Sequence, residues 1–333
     1  MANLMVTTAC NFRCEYCFGM EMVGAGHPPQ NMDWDVFIGL LDWIDRAGFP
    51  DMDIHLMGGE PTLHPQFGAM ARELIRRGRK LRVFSNAAAP LDERDLRDSS
   101  GPEAIWVVNV NEPETYRGAQ LATLEKHLRL LGPAGSITFN MTGPGTKFDH
   151  VLDYIERFGL SRAIKIGVAL PTLGHRNVHA KREEFGAIAA RILELARRAG
   201  AGNISLEFEC GVPYCLFTAE QHWMLGGLHV SHCGSRLDIT PVGKVINCLP
   251  LCKVIAVPYQ AFADYGQARN WFRKALMPYA SLGCTPDCPE CADLIAGRCR
   301  ACLAYSLGEL NRVCLPPLPG SAGRTNLMVE SAE

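Results

Sequence analysis

Three cysteines near the amino terminus have the side-chain type and the spacing to hold an iron–sulfur cluster. Cys10, Cys14 and Cys17 form a C-x3-C-x2-C motif, and the next cysteine along the chain is Cys210. Proteins that only carry electrons usually ligate all the irons of a [4Fe–4S] cluster with cysteine. Three thiolates leave one iron with an open position, where a substrate or a cofactor can coordinate, as at catalytic zinc sites. The motif therefore favours a catalytic cluster.

A second group of cysteines fills the carboxyl-terminal third of the chain, where 11 of the 14 cysteines lie between Cys210 and Cys314. The amino terminus has neither a basic segment nor a long apolar run, so no secretion signal is predicted. We expect a cytoplasmic protein, in which thiols stay reduced. Clustered cysteines then favour metal or iron–sulfur binding over disulfides or buried inert thiols. The C-x2-C pairs at 288/291 and 299/302 leave a four-thiolate zinc site open as an alternative.

The elements that must position the first cysteines alternate between strands and helices over residues 3–205. Apolar runs predict six strands, at 4–8, 53–57, 81–85, 105–110, 136–141 and 164–170. Helical spacing of apolar residues predicts helices at 33–47, 67–77, 123–131, 148–158 and 183–199, with a short one near 89–97. This alternation is typical of an α/β fold with a parallel sheet. A length of ~200 residues suits a partial (β/α)6 TIM-like barrel better than a full barrel of ~250 residues. An open doubly wound sheet remains an alternative.

The predicted barrel would place the cysteine triplet, which follows the first strand, at the carboxyl-terminal rim where active sites of such barrels lie. Beyond residue 205, cysteine, glycine and proline interrupt short segments. This pattern predicts a small cysteine-rich α+β domain at 206–314 that needs bound clusters to fold. Residues 315–333 are rich in proline and glycine and are predicted to form an extended tail.

Charge and hydropathy exclude several classes of partner. Lysine and arginine total 33, aspartate and glutamate total 35, and the net charge is -2. This balance gives no electrostatic support for a nucleic-acid or anionic-membrane partner. No apolar run reaches the ~18 to 20 residues that a membrane span needs, so we predict no membrane-spanning helix.

A second motif, Gly58-Gly59-Glu60-Pro61, follows the second predicted strand. Together with the sequence CNFRCEYC at 10–17, it resembles the radical S-adenosylmethionine (radical SAM) superfamily, over residues 3 to about 200. The resemblance implies that the cysteine triplet holds a catalytic [4Fe–4S] cluster whose fourth iron binds the amino and carboxylate groups of SAM. One electron would then cleave SAM to methionine and a 5′-deoxyadenosyl radical, which abstracts hydrogen from an unactivated carbon.

Further positions match the family's SAM contacts. The resemblance places the GGE segment against the SAM amino group, Tyr16 near the adenine, and Asn109 near the ribose. The segment VFSNAA at 83–88 resembles the family's Thr-Asn-Gly, with alanine in place of the glycine. The implied cofactor-binding residues are Tyr16, Gly58, Gly59, Glu60, Ser85, Asn86, Asn109 and Asn140. A structural role remains the alternative for each: core packing for Tyr16, and capping or turn formation for the others.

The carboxyl-terminal cysteines resemble the SPASM domain, which holds two auxiliary [4Fe–4S] clusters. Their order is C-x9-G-x4-C from Cys233 to Cys248 and then C-x2-C-x7-C-x2-C-x11-C from Cys288 to Cys314, whereas the family's later run is usually C-x2-C-x5-C-x3-C. The resemblance implies one cluster on Cys233, Cys248 and Cys302, with Cys215 or, less favoured, Cys210 as the fourth ligand. It implies a second cluster on Cys288, Cys291, Cys299 and Cys314. Cys252 and Cys284 are unassigned, although Cys284 could replace Cys299.

The resemblance also predicts the function. Auxiliary clusters with four cysteine ligands can pass electrons, which suits oxidative crosslinking or dehydrogenation of a peptide or protein side chain. Because only nine residues precede Cys10, a peptide would bind directly or through a separate peptide-recognition protein, and a flavodoxin- or ferredoxin-type reductant would supply electrons. The alternatives are a radical SAM dehydrogenase or other modifier of a small molecule in cofactor or natural-product biosynthesis, and a non-catalytic iron–sulfur or zinc protein.

Four residues near the predicted domain junction could accept a proton as a substrate radical is oxidised. They are Glu207, Glu209, Tyr214 and Asp238. A hydrogen-bonded strand or loop residue is the competing interpretation for each of them.

Overall fold

The computed structural model describes most of the chain. The described residues are 1–23, 28–172, 177–210, 212–225, 236–283, 288–300, 302–304, 312–319 and 325–328. Two of the cysteines discussed above, Cys233 and Cys284, lie outside this set, and the side chain of Cys314 does too.

Seven parallel strands follow one another in chain order. They are β1 (Ala2–Thr7), β2 (Ile54–Gly58), β3 (Leu81–Ser85), β4 (Ala104–Asn109), β5 (Gly135–Met141), β6 (Ala163–Val168) and β7 (Ser205–Phe208). Each pairs in parallel with the next. The connecting α-helices are α1 (Trp34–Asp45), α2 (Phe67–Arg76), α3 (Glu93–Asp98), α4 (Gln120–Leu131), α5 (Asp149–Phe158) and α6 (Phe185–Ala201).

The strand order decides between the two predicted architectures. A doubly wound sheet reverses its strand order at a switch point, whereas the parallel strands here run from β1 to β7 without a reversal. Because βαβ crossovers are right-handed, an unreversed order puts the helices on one face of the sheet. The fold is therefore a partial TIM-like barrel, as predicted. It has one parallel strand more than predicted, because β7 is a short edge strand with exposed Ser205 and Glu207 and lacks a continuous apolar run.

Alternating side chains give the sheet one apolar and one polar face. Leu4 and Ile54 belong to the hydrophobic core, which includes Phe37 of α1. On the opposite face Asn3 pairs in register with His55, and the same face carries Thr138 and Lys165 on neighbouring strands. The inward face of the barrel is thus polar below its carboxyl-terminal rim.

The carboxyl-terminal part extends the main sheet. β8 (Leu237–Ile239) pairs in parallel with β1, and β9 (Lys244–Ile246) and β10 (Val257–Pro258) follow as antiparallel strands. The remaining elements are α7 (Ala219–Met224), α8 (Tyr265–Leu276), α9 (Ala292–Ile295) and an antiparallel ribbon of β11 (Arg312–Leu315) and β12 (Thr325–Met328). The residue at which a second domain begins stays a prediction.

Within the described residues, none of the helices combines the length and the apolar character needed to cross a bilayer.

Candidate active site

The three amino-terminal cysteines lie in the loop that follows β1. The Cys17 N–H donates to the Cys14 carbonyl oxygen at 3.0 Å, and the Phe12 N–H donates to Cys10 Sγ at 3.4 Å. All three cysteines are partly buried, and the described cysteines form no disulfide bond with one another. Burial raises the pKa of the Cys10 thiol to about 11 and also raises the pKa of Cys17. Both thiols stay protonated at neutral pH unless a bound metal takes the place of the proton.

The donor set of the loop is that of an iron–sulfur cubane. Three cysteine side chains come from one short segment and form no disulfide bond, and in a cubane each cysteine thiolate binds a separate iron. The residues present therefore fit a cluster held by Cys10, Cys14 and Cys17.

Two glycines allow the end of β2 to approach the cysteine loop. A Cβ atom on Gly58 would lie 2.3 Å from the Thr7 carbonyl oxygen, and one on Gly59 would lie 2.2 Å from the Ala9 carbonyl oxygen. The Gly59 N–H donates to Thr7 O at 2.9 Å, and the Glu60 N–H donates to Ala9 O at 2.7 Å. Any larger residue at Gly58 or Gly59 would separate the two segments.

The Glu60 carboxylate joins the end of β2 to the end of β3. Its Oε1 accepts hydrogen bonds from Thr62 N, from Thr62 Oγ1 and from Ser85 Oγ, and its Oε2 accepts one from Asn86 N at 2.7 Å. Full burial raises the pKa of Glu60. The structure therefore gives Glu60 and Ser85 a positioning role, while a direct contact between Glu60 and the SAM amino group stays a prediction.

A chain of hydrogen bonds connects Tyr16 of the cysteine loop to β4 and β5. Asn140 Nδ2 donates to Asn109 Oδ1 at 3.0 Å, and Asn109 Nδ2 donates to the Tyr16 hydroxyl at 3.0 Å. The Tyr16 hydroxyl donates to Asn111 Oδ1, and the Nδ2 atom of the same asparagine lies 3.7 Å from Cys14 Sγ. Burial raises the pKa of Tyr16, so it remains a neutral donor. The sequence analysis missed Asn111, although it follows Asn109 at the same strand end.

A further contact fixes the loop from the β3 side. Asn86 Nδ2 donates to Asn11 Oδ1 at 2.8 Å. Phe12 packs edge-on against Tyr116 with ring centroids 5.5 Å apart, and the Tyr116 hydroxyl accepts a hydrogen bond from Asn111 N. The ends of β2, β3, β4 and β5 thus surround the cysteine loop, and the predicted SAM-contacting residues all lie there.

The four candidate proton acceptors are not brought together. Glu207 is exposed, with one carboxylate oxygen 3.9 Å from Lys165 Nζ. Tyr214 stacks on His222 with centroids 3.9 Å apart. Asp238 accepts a hydrogen bond from Asn3 Nδ2 at 2.6 Å, near the amino end of β1.

Glu207 and Asp238 share the inward face of the sheet with their register partners Lys165 and Asn3, and Glu209 lies beyond Glu207 toward the carboxyl-terminal rim. The Glu209 N–H donates to Ile166 O, which places it beside the carboxyl end of β6. Its carboxyl group is buried beside the Thr138 hydroxyl on β5. Burial raises the pKa of Glu209, whereas nearby Lys165 and a hydrogen bond from Thr138 act in the opposite direction. A buried carboxyl with so few protein partners can also hydrogen-bond a bound molecule.

The carboxyl-terminal cysteines fall into different surroundings. Cys248 and Cys302 pack against the hydrophobic core. Cys252 lies close enough to Glu21 for that carboxylate to raise the pKa of its thiol, although burial raises it more. Cys215 lines the same cavity as three cysteines of the other predicted ligand set, which are Cys288, Cys291 and Cys299. This placement differs from the predicted grouping of Cys215 with Cys248 and Cys302.

Comparison with known protein families gives a match for the first part of the chain. The model of the radical SAM superfamily matches residues 4–100. These residues match a radical SAM domain. The match includes the cysteine triplet and the GGE motif, whose backbone hydrogen-bonds to Thr7 and Ala9 immediately before the triplet.

Two relatives match only part of this chain. The tungsten-containing aldehyde ferredoxin oxidoreductase cofactor-modifying protein of Pyrococcus furiosus is 38% identical over 92 residues, which are 27% of this chain and 24% of that protein. The S-adenosylmethionine-dependent nucleotide dehydratase of Selenomonas ruminantium is 31% identical over 96 residues, which are 28% of this chain and 31% of that protein. The matched region spans less than a third of either relative.

Solved structures share the fold of this chain over a longer stretch than the two relatives match. SuiB of Streptococcus suis bound to S-adenosylmethionine has a TM-score of 0.63 and 12% identity, covering 88% of this chain and 70% of SuiB. SuiB bound to the precursor peptide SuiA has a TM-score of 0.60 and 13% identity, covering 80% of this chain and 66% of SuiB. At this level of identity the likeness shows a common fold, which extends beyond the residues of the family match.

Proposed function

We propose that this protein reductively cleaves SAM and oxidatively modifies a peptide or protein side chain, by crosslinking or dehydrogenation. The observation that carries the first half is the position of Cys10, Cys14 and Cys17 in one loop, surrounded by the carboxyl ends of the parallel strands. Active sites of parallel barrels lie at this rim. The radical SAM domain at residues 4–100 supports the same chemistry.

The residues around the cysteine loop would hold and orient SAM. When bound, the cluster and SAM together supply a 5′-deoxyadenosyl radical that abstracts hydrogen from the substrate. Tyr16, Asn109 and Asn140 present neutral donors and acceptors that suit the ribose and the adenine of SAM. The buried Glu60 carboxylate holds Ser85 and Asn86 in place beside them.

A peptide substrate is supported by two observations. The fold resembles that of SuiB bound to a precursor peptide. The inward face of the barrel carries the buried Glu209 carboxyl and Thr138 hydroxyl near the rim, and these groups would hydrogen-bond a polar substrate better than an apolar one. Glu209 is our candidate to accept a proton from the oxidised substrate.

Further partners follow from the oxidative reaction. We propose that the carboxyl-terminal cysteines form a SPASM-type domain with two auxiliary [4Fe–4S] clusters in addition to the SAM cluster, and that these clusters receive the electron removed from the substrate. A flavodoxin- or ferredoxin-type protein would reduce the SAM cluster. A separate peptide-recognition protein would assist binding if the peptide alone binds weakly.

A small-molecule substrate is the second candidate. The names of the two relatives favour it, since one is a cofactor-modifying protein and the other a nucleotide dehydratase. Their matches cover little of either relative, whereas the fold shared with SuiB covers most of this chain. We therefore place peptide modification first.

Formation of 5′-deoxyadenosine tests SAM cleavage. Anaerobically reconstituted protein, with dithionite as reductant, is expected to convert SAM to 5′-deoxyadenosine, and Cys14→Ser is expected to abolish this product. Cys252→Ser is the matched control, because Cys252 belongs to no predicted ligand set, and it should retain activity. Equal product formation by Cys14→Ser and wild type would contradict the proposal.

Deuterium transfer distinguishes the two classes of substrate. Deuterated peptides encoded next to the gene and deuterated nucleotides are incubated separately with the reduced protein and SAM. We expect deuterium in 5′-deoxyadenosine, together with a mass loss in the product, from a peptide. Transfer from a nucleotide and from no peptide would favour the second candidate.

A further inference from the structure

Four cysteines from two distant segments line one cavity of about 50 Å³. Cys215 comes from the 3-10 turn Tyr214–Leu216, and the other three come from the region after residue 287. They are Cys288, Cys291 and Cys299. About 70 residues separate the two segments in sequence, so the motif spacing alone cannot show that they meet.

Local hydrogen bonds hold the three later cysteines around α9. The Cys291 N–H donates to Cys288 O at 3.0 Å, and α9 begins at the next residue. After α9 the chain returns, and the Cys299 N–H donates to Asp293 O at 3.0 Å. Gly283 packs so closely on Cys288 that a Cβ atom there would lie 2.7 Å from the cysteine Sγ.

Cys215 also interacts electrostatically with this group of cysteines. Cys215 lies near enough to Cys299 and Cys288 for their charges to act on it. Cys299 accepts a backbone hydrogen bond from Tyr214, the neighbour of Cys215. Arg182 also lines the cavity and opposes the repulsion at Cys215. Backbone donors and a nearby cation are features that tune iron–sulfur sites.

We propose that Cys215, Cys288, Cys291 and Cys299 together ligate one [4Fe–4S] cluster, with Arg182 as the adjacent cation. In this set Cys215 takes the place that the resemblance to the SPASM domain gives to Cys314, whose side chain lies outside the described residues. Cys215 is then no longer a ligand of the other cluster. The site has four cysteine ligands and therefore no open iron, so it is suited to electron transfer and not to substrate coordination.

The geometry favours a cluster over zinc. Zinc holds four thiolates at ~2.3 Å from one central atom. The cavity that the four cysteines line, at about 50 Å³, is larger than the ~10–15 Å³ that one water molecule requires. It has room for a group of several atoms.

Residues 177–182 contact both the amino-terminal cysteine loop and the proposed site. In the segment after β6, the Val178 N–H donates to Glu15 O, and Asn177 Nδ2 lies 3.5 Å from Tyr16 O. Ala180 and Arg182 of the same segment line the four-cysteine cavity. The described part of this segment therefore links the two cysteine sites by direct contacts.

Single substitutions test the ligand set, and the readouts are iron and sulfide content and the EPR spectrum of reconstituted protein. We expect Cys215→Ser to lose about four of about twelve irons, or to show a [3Fe–4S] signal in their place. Cys314→Ser is expected to keep the spectrum of this cluster. Loss of the cluster in Cys314→Ser with retention in Cys215→Ser would overturn the proposal, as would zinc without sulfide at this site.

Alkylation of the wild-type holoprotein gives an answer that does not depend on how the variants fold. Mass spectrometry should show Cys215, Cys288, Cys291 and Cys299 protected together, and becoming reactive together when iron is removed with a chelator. Alkylation of Cys215 at the same rate with and without iron would contradict the ligand set. SAM cleavage does not use Cys215, so Cys215→Ser is expected to form 5′-deoxyadenosine still. A wrong ligand set can therefore be told apart from a failure of the proposed SAM cleavage.

Discussion

The amide of Asn109 touches both the Tyr16 hydroxyl and the Asn140 amide, so one side chain links the cysteine loop to two strands. The sequence predicted all three residues as site residues. It did not predict that they contact one another, nor that Asn111 extends the chain to Cys14. Residue types at strand ends can be read from a motif, whereas hydrogen-bond partners depend on how the loops fold over the sheet.

Asn109→Ala is expected to weaken SAM binding about tenfold while leaving the iron content unchanged. The substitution leaves the Tyr16 hydroxyl and Asn140 Nδ2 with fewer partners, and an unsatisfied buried polar group costs about 1–3 kcal/mol. SAM titration of the reconstituted protein measures the change. Asn270→Ala, at an exposed position of α8, is the matched control. Equal affinities in both variants would show that the network does not position SAM.

The buried carboxyl of Asp238 makes stability depend on pH. Burial raises its pKa from the ordinary 3.8 to about 6. With a raised pKa in the folded state, the carboxyl destabilises the fold increasingly as the pH rises from ~4 through ~6. Asp238→Asn keeps an acceptor oxygen for Asn3 Nδ2, and it should stabilise the protein by roughly 2–3 kcal/mol at pH 7.5.

Thermal unfolding of the protein between pH 5.5 and 7.5 measures this effect. The difference between Asp238→Asn and wild type is expected to shrink as the pH falls, because the wild-type carboxyl becomes protonated and neutral. Asp51→Asn, at an exposed position, should change little at either pH. A difference that grows toward pH 5.5 would contradict the assignment.

At the scale of elements, the order and approximate bounds of six strands and six helices could be predicted from apolar periodicity. These elements are buried on the helix-facing side and carry clear apolar patterns. β7 was missed because a short edge strand needs no such pattern. The short strands β8, β9 and β10 also lacked a signal, since each has only two or three residues and depends on pairing with the rest of the sheet.

Gly59→Ala tests the contact between the end of β2 and the cysteine loop. The added methyl group would lie 2.2 Å from the Ala9 backbone oxygen, so the two segments must separate and the Glu60–Ala9 hydrogen bond must lengthen. We expect a loss of several °C in the thermal midpoint and loss of the amino-terminal cluster.

A glycine in an open position provides the control for this substitution. Gly186 lies in α6, and a Cβ atom there meets nothing within 4 Å. Gly186→Ala is expected to stabilise the helix by up to ~1 kcal/mol. Retention of the full iron content by Gly59→Ala would show that the approach of the two segments is not required.

At the scale of the whole molecule, the two parts of the chain share structure at the β1 edge. β8 pairs with β1, Trp43 Nε1 donates to Phe262 O at 3.0 Å, and the Tyr265 hydroxyl donates to Met1 O. The change in composition near residue 205 predicted where the cysteine-rich region begins. It could not show that this region completes the sheet, nor which cysteines meet, because both depend on contacts between distant segments.

Residues 1–205 produced alone are therefore expected not to fold stably. The truncation exposes the edge of β1 and the aromatic contact of Trp43 with Tyr265, whose ring centroids are 5.7 Å apart. Hydrogen exchange measures the protection of the β1 amides in the full chain and in the truncated one. Protected β1 amides together with cooperative unfolding of the truncated chain would contradict a shared core.

The most direct test of the central claim is the EPR spectrum of the reduced, reconstituted protein with and without SAM. Three cysteine ligands leave one iron of the amino-terminal cluster open, so SAM is expected to alter the signal of that cluster, and the alteration should disappear when Cys10, Cys14 and Cys17 are all replaced by serine. An unchanged signal at saturating SAM, from protein with its full iron content, would contradict the account.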